Sequence, residues 1–147
     1  MKNTVLKNVF IDANIIIDLN DNSRGNLEKS LSILDYLVQN SIKIYTSCDL
    51  ITTIYYILSK KDKNHALDSI ERLNKICTII EFSNKELLQT TKLMRENGNF
   101  KDLEDTIQYV LALETNCDCI ISNDKEFYSP EITLFSSDEF ILEFGIK

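Results

Sequence analysis

Three acids in this 147-residue chain stand where side chains could do chemistry: Asp12, Asp105 and Asp124. Asp12 ends the apolar run at residues 8–12 (NVFID), and Asp124 follows a second such run at residues 117–122. Asp105 falls near the start of a helical pattern at residues 101–116. Parallel sheets bind ligands just beyond the carboxyl ends of their strands, so acids at strand ends outrank acids on helix faces. A carboxylate in the first turn of a helix is favoured by the helix dipole. Carboxylates brought within a few ångströms repel one another and take up protons unless a cation lies among them. Such hard oxygen donors select Mg²⁺ or Mn²⁺, which keep several waters and acidify one of them, and phosphodiester oxygens can complete the ion's shell. Each acid also has an ordinary reading. Asp12 and Asp124 could organise turns, and Asp105 could simply answer the helix dipole.

Bringing these acids together requires strands that run side by side. Residues 8–12 read as a buried strand turning into a helix over 14–19, and residues 26–40 carry Leu27, Leu31, Leu34, Leu37 and Val38 as a helical stripe capped by Asn26. Residues 42–46 alternate like a strand, and residues 47–60 form a helix that Ser47 can cap. After a polar break at 60–65, Ala66, Ile70, Leu73 and Ile76 recur at helical spacing. Residues 77–82 are β-branched and apolar, hence a strand. Ser83 and Glu86 make a capping-box pattern for the next helix, which Asn97-Gly98 stops. Beyond the helix at 101–116 come strands at 117–122 and 132–135, and Ser136 or Ser137 caps a last helical segment. Strands alternating with helices predict an α/β/α sandwich around a mainly parallel sheet, because parallel neighbours need crossovers. The whole of residues 1–147 is expected to form one domain.

Composition narrows the function classes. A hydrophobic fraction of 44% excludes a disordered chain, and 3 Gly with 1 Pro is too little turn chemistry for a many-stranded β-sandwich. No apolar stretch approaches a membrane span, and residues 1–7 lead into the first strand without a signal-peptide core, so a cytoplasmic protein is expected. Cys48, Cys77, Cys117 and Cys119 have no zinc spacing and read as reduced structural thiols; His65 lies in a polar segment and is given no role. The net charge of −7 argues against a broad nucleic-acid-binding surface, although a carboxylate metal site accounts for part of it. The run at residues 59–63 (SKKDK) reads as a solvated helix end, with contact to RNA phosphates as the alternative. Tyr55 and Tyr56 read as core and interface groups.

Three blocks, taken in order, resemble the PIN-domain family. FIDANIIIDL at residues 10–19 resembles its opening strand, with Asp12 as the first metal-binding acid and Asn14 as a supporting polar residue. DLEDTIQYVLALE at 102–114 is similar to its third acidic motif, with Asp105 as the principal acid and Asp102 flanking it; beside the motif, Glu104 reads as a solvated or supporting acid. CIISNDKEF at 119–127 is similar to the closing motif, matching Ser122 to its Ser/Thr and Asp124 to its last acid. The resemblance implies a three-layer fold and Mg²⁺- or Mn²⁺-dependent cleavage of RNA. For small members it also implies the toxin half of a VapC-like toxin–antitoxin pair, with a cognate antitoxin and a possible homodimer. One block departs from the pattern: in TSCDLITTIYYIL at 46–58, Thr53 stands where a Glu is usual, while Asp49 lies one turn earlier on the same helical face. That departure supports an alternative, a degenerate PIN domain serving as a non-catalytic RNA- or protein-binding module. A phosphatase that uses an acid after a strand is a remoter alternative, since Asn14 occupies the place of its usual second Asp.

Overall fold

Strands β1 (Asn8–Ile11) and β4 (Cys119–Ile121) are almost wholly buried and apolar, as strands covered on both faces must be. They lie side by side at the middle of a five-stranded, all-parallel sheet, order β3-β2-β1-β4-β5, in a computed structural model that describes residues 5–147. The other strands are β2 (Lys43–Ser47), β3 (Cys77–Ile80) and β5 (Thr133–Phe135). The helices are α1 (Ala13–Asn20), α2 (Leu27–Gln39), α3 (Cys48–Leu58), α4 (Lys63–Ile76), α5 (Asn84–Glu96), α6 (Leu103–Glu114) and α7 (Ser137–Glu143), with a 3₁₀ turn at Asn22–Arg24.

The chain steps outward from β1 to β2 to β3, then crosses back to β4 and β5 on the other side of β1. Right-handed crossovers therefore put α1 to α4 on one face and α5 with α6 on the other. The helix packing agrees: α1 lies against α2 and α3, α3 against α4, and α5 against α6, while α7 returns to α2. This is the expected α/β/α sandwich. The strand order reverses between β1 and β4, which opens a crevice at their carboxyl ends.

The predicted elements are all present, with ends that differ by one to three residues: most are trimmed, while α1, β2 and α4 extend past the expected ranges. The helical stripe on α2 is rotated from the expected one. Ile33, Leu34, Leu37 and Ser30 are buried, whereas Leu31 is 48% and Val38 54% exposed, because α2 must face both α1 and α7. Asn26 and Ser47 occupy N-cap positions without making side-chain cap bonds. The polar break at 60–65 is shorter than read: Asp62 caps α4 by accepting from the backbone N–H groups of Asn64 and His65. His65, expected to be exposed, is half-buried and bonds through Nε2 to the Asn20 carbonyl at 2.8 Å, tying α4 to α1. Within 59–63, Lys61 reaches Asp21 at 3.1 Å and Lys60 lies over the Tyr56 ring, so this segment has local partners. Tyr55 packs on the core, but Tyr56 is 65% exposed.

Ser136, rather than Ser137, caps α7: its Oγ accepts from the Glu139 N–H, and Glu139 accepts from the Ser136 N–H. The four cysteines are unbonded, and burial raises the thiols of Cys77 and Cys117 to about 12 and about 11, so they stay protonated. Residues 1–4, part of the stretch read as free of a signal peptide, lie outside the described residues. No helix among the described residues is long and apolar enough to cross a membrane.

Phe140 of α7 is fully buried among Tyr36, Phe135 and Phe144, with ring centroids 4.6 to 6.0 Å away. Truncating such a side chain removes its transfer energy and leaves a cavity. Phe140→Ala should cost about 3–5 kcal/mol in urea unfolding. A loss below about 1 kcal/mol would mean that this cluster does not hold α7 to the sandwich.

Candidate active site

The crevice between β1 and β4 is built by ladder pairing. Ile11 pairs with Ile121, and the next residue, Asp12, donates its backbone N–H to the Ile121 carbonyl at 3.0 Å. On the other side, Thr46 of β2 donates its hydroxyl to the Ile11 carbonyl at 3.0 Å. The polar residues at the carboxyl ends of the three strands thus lie at one level: Ser47 at the end of β2 with Asp49 beyond it, Asp12 after β1, and Ser122 and Asp124 after β4.

Asp12 is held most firmly. It ends β1 and caps α1, with Oδ1 accepting from the Ala13 N–H at 2.7 Å and Oδ2 from the Ser122 hydroxyl at 2.7 Å. Only 6% of it is exposed, and burial raises its pKa, with a further push from Asp124. The two hydrogen bonds work the other way, since both favour the ionised form. Asp124 forms the expected turn, accepting from the Glu126 N–H at 2.9 Å and donating its own N–H to Ser122 Oγ at 3.1 Å. Turn-forming and site-facing readings are therefore compatible for this residue.

Asp105 comes to the same place from the opposite layer. It lies in the first turn of α6, where Asp102 is the N-cap and accepts the Asp105 N–H at 2.9 Å. Partial burial, then the charges of Asp124, Asp102, Asp12 and Glu104, push Asp105 up to about 7. Glu104 is raised too, first by partial burial and then by Asp49, Asp12 and Asp102. Asp49 accepts a hydrogen bond from the Ser47 hydroxyl, so Ser47 orients this acid instead of capping α3. Thr53, one turn along α3, is half-buried and brings no charge.

Six carboxylates from four segments thus share one electrostatic neighbourhood. The ion pairs among the described residues join Arg24 to Asp18, Lys29 to Asp138, Lys61 to Asp21 and Lys85 to Glu114, and none reaches the cluster. Among the described residues, no three acidic, histidine or cysteine side chains are drawn into a finished metal cage. An all-oxygen donor set with its charge uncompensated fits a hard divalent cation. Asp12, Asp105 and Asp124 are the residues that would hold it.

Two amides, one half-buried and one fully buried, border the cluster. Asn14 does not bond a carboxylate, and its Oδ1 is buried without a partner. Gln108, which the sequence reading passed over, is fully buried one turn after Asp105 and near enough to Asp12 to favour its ionised form. Neither end of the Gln108 amide makes a hydrogen bond. The one available signal was a polar residue in the middle of the apolar pattern of α6.

The PIN domain family model matches residues 8–126. The chain belongs to the PIN domain family. It is 47% identical over 132 residues to a protein of Aquifex aeolicus (strain VF5) named Ribonuclease VapC1, covering 90% of this chain and 92% of that protein. Solved PIN-like structures share the fold at lower identity. VapBC2 of Rickettsia felis, bound to a DNA fragment from its promoter, gives a TM-score of 0.70 at 19% identity over 88% of this chain and 98% of that one. VapC20 of Mycobacterium tuberculosis, described as a sarcin-ricin loop cleaving toxin, gives 0.65 at 13% identity over 81% and 92%. Membership of the PIN domain family sets aside the phosphatase alternative.

Two predictions follow from the charges and the orphan amide. With Asp105 near 7 folded and 3.8 unfolded, the folded state binds the extra proton, so metal-free stability falls as pH rises from about 4 to about 7. Asp105→Asn should flatten that fall in melting curves taken across this range, and an unchanged slope would separate Asp105 from the cluster. Gln108→Leu removes the amide that favours the ionised form of Asp12, so the Asp12 carboxyl of the metal-free variant should titrate higher than in the wild type. An unchanged Asp12 titration by NMR would separate Gln108 from this acid.

Proposed function

We propose that this chain is a divalent-metal-dependent endoribonuclease, the toxin of a VapC-like toxin–antitoxin pair, acting as a single PIN-like domain in the cytoplasm. The carrying observation is the gathering of Asp12, Asp105 and Asp124 at the β1/β4 crevice, where none of the ion pairs among the described residues reaches them. The ribonuclease name of a relative at 47% identity supports the same reading.

In this reading the three aspartates would hold Mg²⁺ or Mn²⁺, which would supply Lewis acidity at the phosphodiester and acidify water there. Asp12 presents its carboxylate in a fixed orientation because the Ala13 N–H and the Ser122 hydroxyl hold one oxygen each. Ser122 also takes the Asp124 N–H, so one hydroxyl sets the relative placement of two acids. Asp102 keeps Asp105 at the start of α6 by capping the helix. Asp49 and Glu104 add negative charge on the α3 side, where Thr53 replaces the acid usual in the family. RNA is the substrate, a cognate antitoxin restrains the activity, and two copies pair as a homodimer.

A second reading, a PIN domain kept as a non-catalytic binding module, draws its support from Thr53. One set of measurements separates the two. Purified protein should bind Mn²⁺ in calorimetry and cleave single-stranded RNA, with cleavage abolished in Asp12→Asn. Absence of both cleavage and Mn²⁺ binding at millimolar concentration would favour the binding module. Cleavage that survives Asp12→Asn would remove the metal site from the mechanism.

A further inference from the structure

Beside the acid cluster, toward α1 and the 3₁₀ turn, lies an open cleft of about 380 Å³ lined by Asn14, Asp18, Arg24, Asn26 and Asn123. It adjoins the site through the chain itself: Asn14 is two residues past Asp12, and Asn123 lies between Ser122 and Asp124.

The cleft's arginine is fixed in place. Asp18 is 2% exposed and accepts from Arg24 Nε at 2.6 Å. A carboxylate buried to that degree is stable only with its cation, so the pair is obligatory and the guanidinium cannot sweep freely. Gly25, in the left-handed region at φ 78, closes the preceding turn by donating its N–H to the Asn22 carbonyl. The ion pair engages Nε, and the Arg24 side chain remains 37% exposed, which leaves its Nη donors for another acceptor.

The amides around it divide into committed and uncommitted ones. Asn123 is locked at both ends on Ser137, donating to its Oγ at 2.9 Å and accepting its N–H at 2.8 Å. Asn14 Oδ1 is buried with no partner, and Asn26 makes no cap bond although it starts α2. The cleft thus offers an oriented guanidinium donor next to Asn14 and Asn123, the chain neighbours of the proposed metal ligands, while the unpartnered Asn14 oxygen stays sealed beneath the surface.

We infer that this cleft holds the nucleotide flanking the scissile bond, with Arg24 on its phosphate. The inference rests on the ribonuclease reading above. A divalent ion offsets charge only at the phosphate being cleaved, and the remaining carboxylates repel the rest of the strand. An adjacent phosphate therefore needs its own donor. The planar fork of arginine suits phosphate, and pairing with Asp18 orients the fork while cancelling most of its long-range charge.

The test uses that cancellation. Replacing both partners, Asp18→Asn with Arg24→Gln, leaves the net charge unchanged and keeps a polar pair in the buried position, with melting curves to check folding. RNA cleavage by the Mn²⁺-loaded double variant should show KM raised about tenfold with kcat within about twofold. In the wild type, a methylphosphonate scanned through the positions next to the cleavage site should reproduce that loss at one position. At that position it should cost the double variant nothing more, as two changes to a single contact must. An unchanged KM, or losses that add, overturns the cleft proposal while leaving the ribonuclease reading intact. A wild type that cleaves no RNA overturns both.

Discussion

Mutual repulsion among carboxylates at the ends of β1 and β4 is the constraint to which the rest of the structure responds. Asp12 is nearly buried, Asp105 is raised to about 7, and Asp124 pushes on both. Such a grouping opposes folding in the absence of a cation. It persists because the backbone leaves little choice: Asp12 is clamped between the Ala13 N–H and the Ser122 hydroxyl, and Asp105 follows from the start of α6. The stability of the sandwich holds the acids together, and acids so held favour a cation among them.

That sandwich places its most apolar strands at the centre and its site at their carboxyl ends. The crossover handedness that separates α1–α4 from α5–α6 also determines that acids from both layers reach one crevice. Asp12, Ser122 and Asp124 come from the strands, Asp49 from α3, and Asp102, Glu104 and Asp105 from α6. The match over residues 8–126 shows membership of the PIN domain family.

The net charge of −7 follows in part from the same cluster, and it changes how a polyanion must be received. A broad basic face is replaced by particular donors. Arg24, oriented by buried Asp18 beside the crevice, combines directional hydrogen bonding with little long-range attraction. Such an arrangement favours contact at one phosphate over diffuse adhesion along a strand.

Much of this was legible in the residues. The order of strands and helices followed from apolar runs and caps, because local periodicity reflects which faces are buried. The acids Asp12, Asp105 and Asp124 stood out because each occupies a strand end or a helix start, positions that a linear pattern reveals. What the sequence could not state was anything dependent on a partner distant along the chain. The rotation of α2 toward α7, the bond from His65 to Asn20, the isolation of the Gln108 amide and the pairing of Asp18 with Arg24 are of this kind. Side-chain type and spacing determined which elements form and where chemistry could lie. Only the packing of layers decided which polar groups are buried together, because burial and proximity are properties of the folded surface and not of neighbours in the chain.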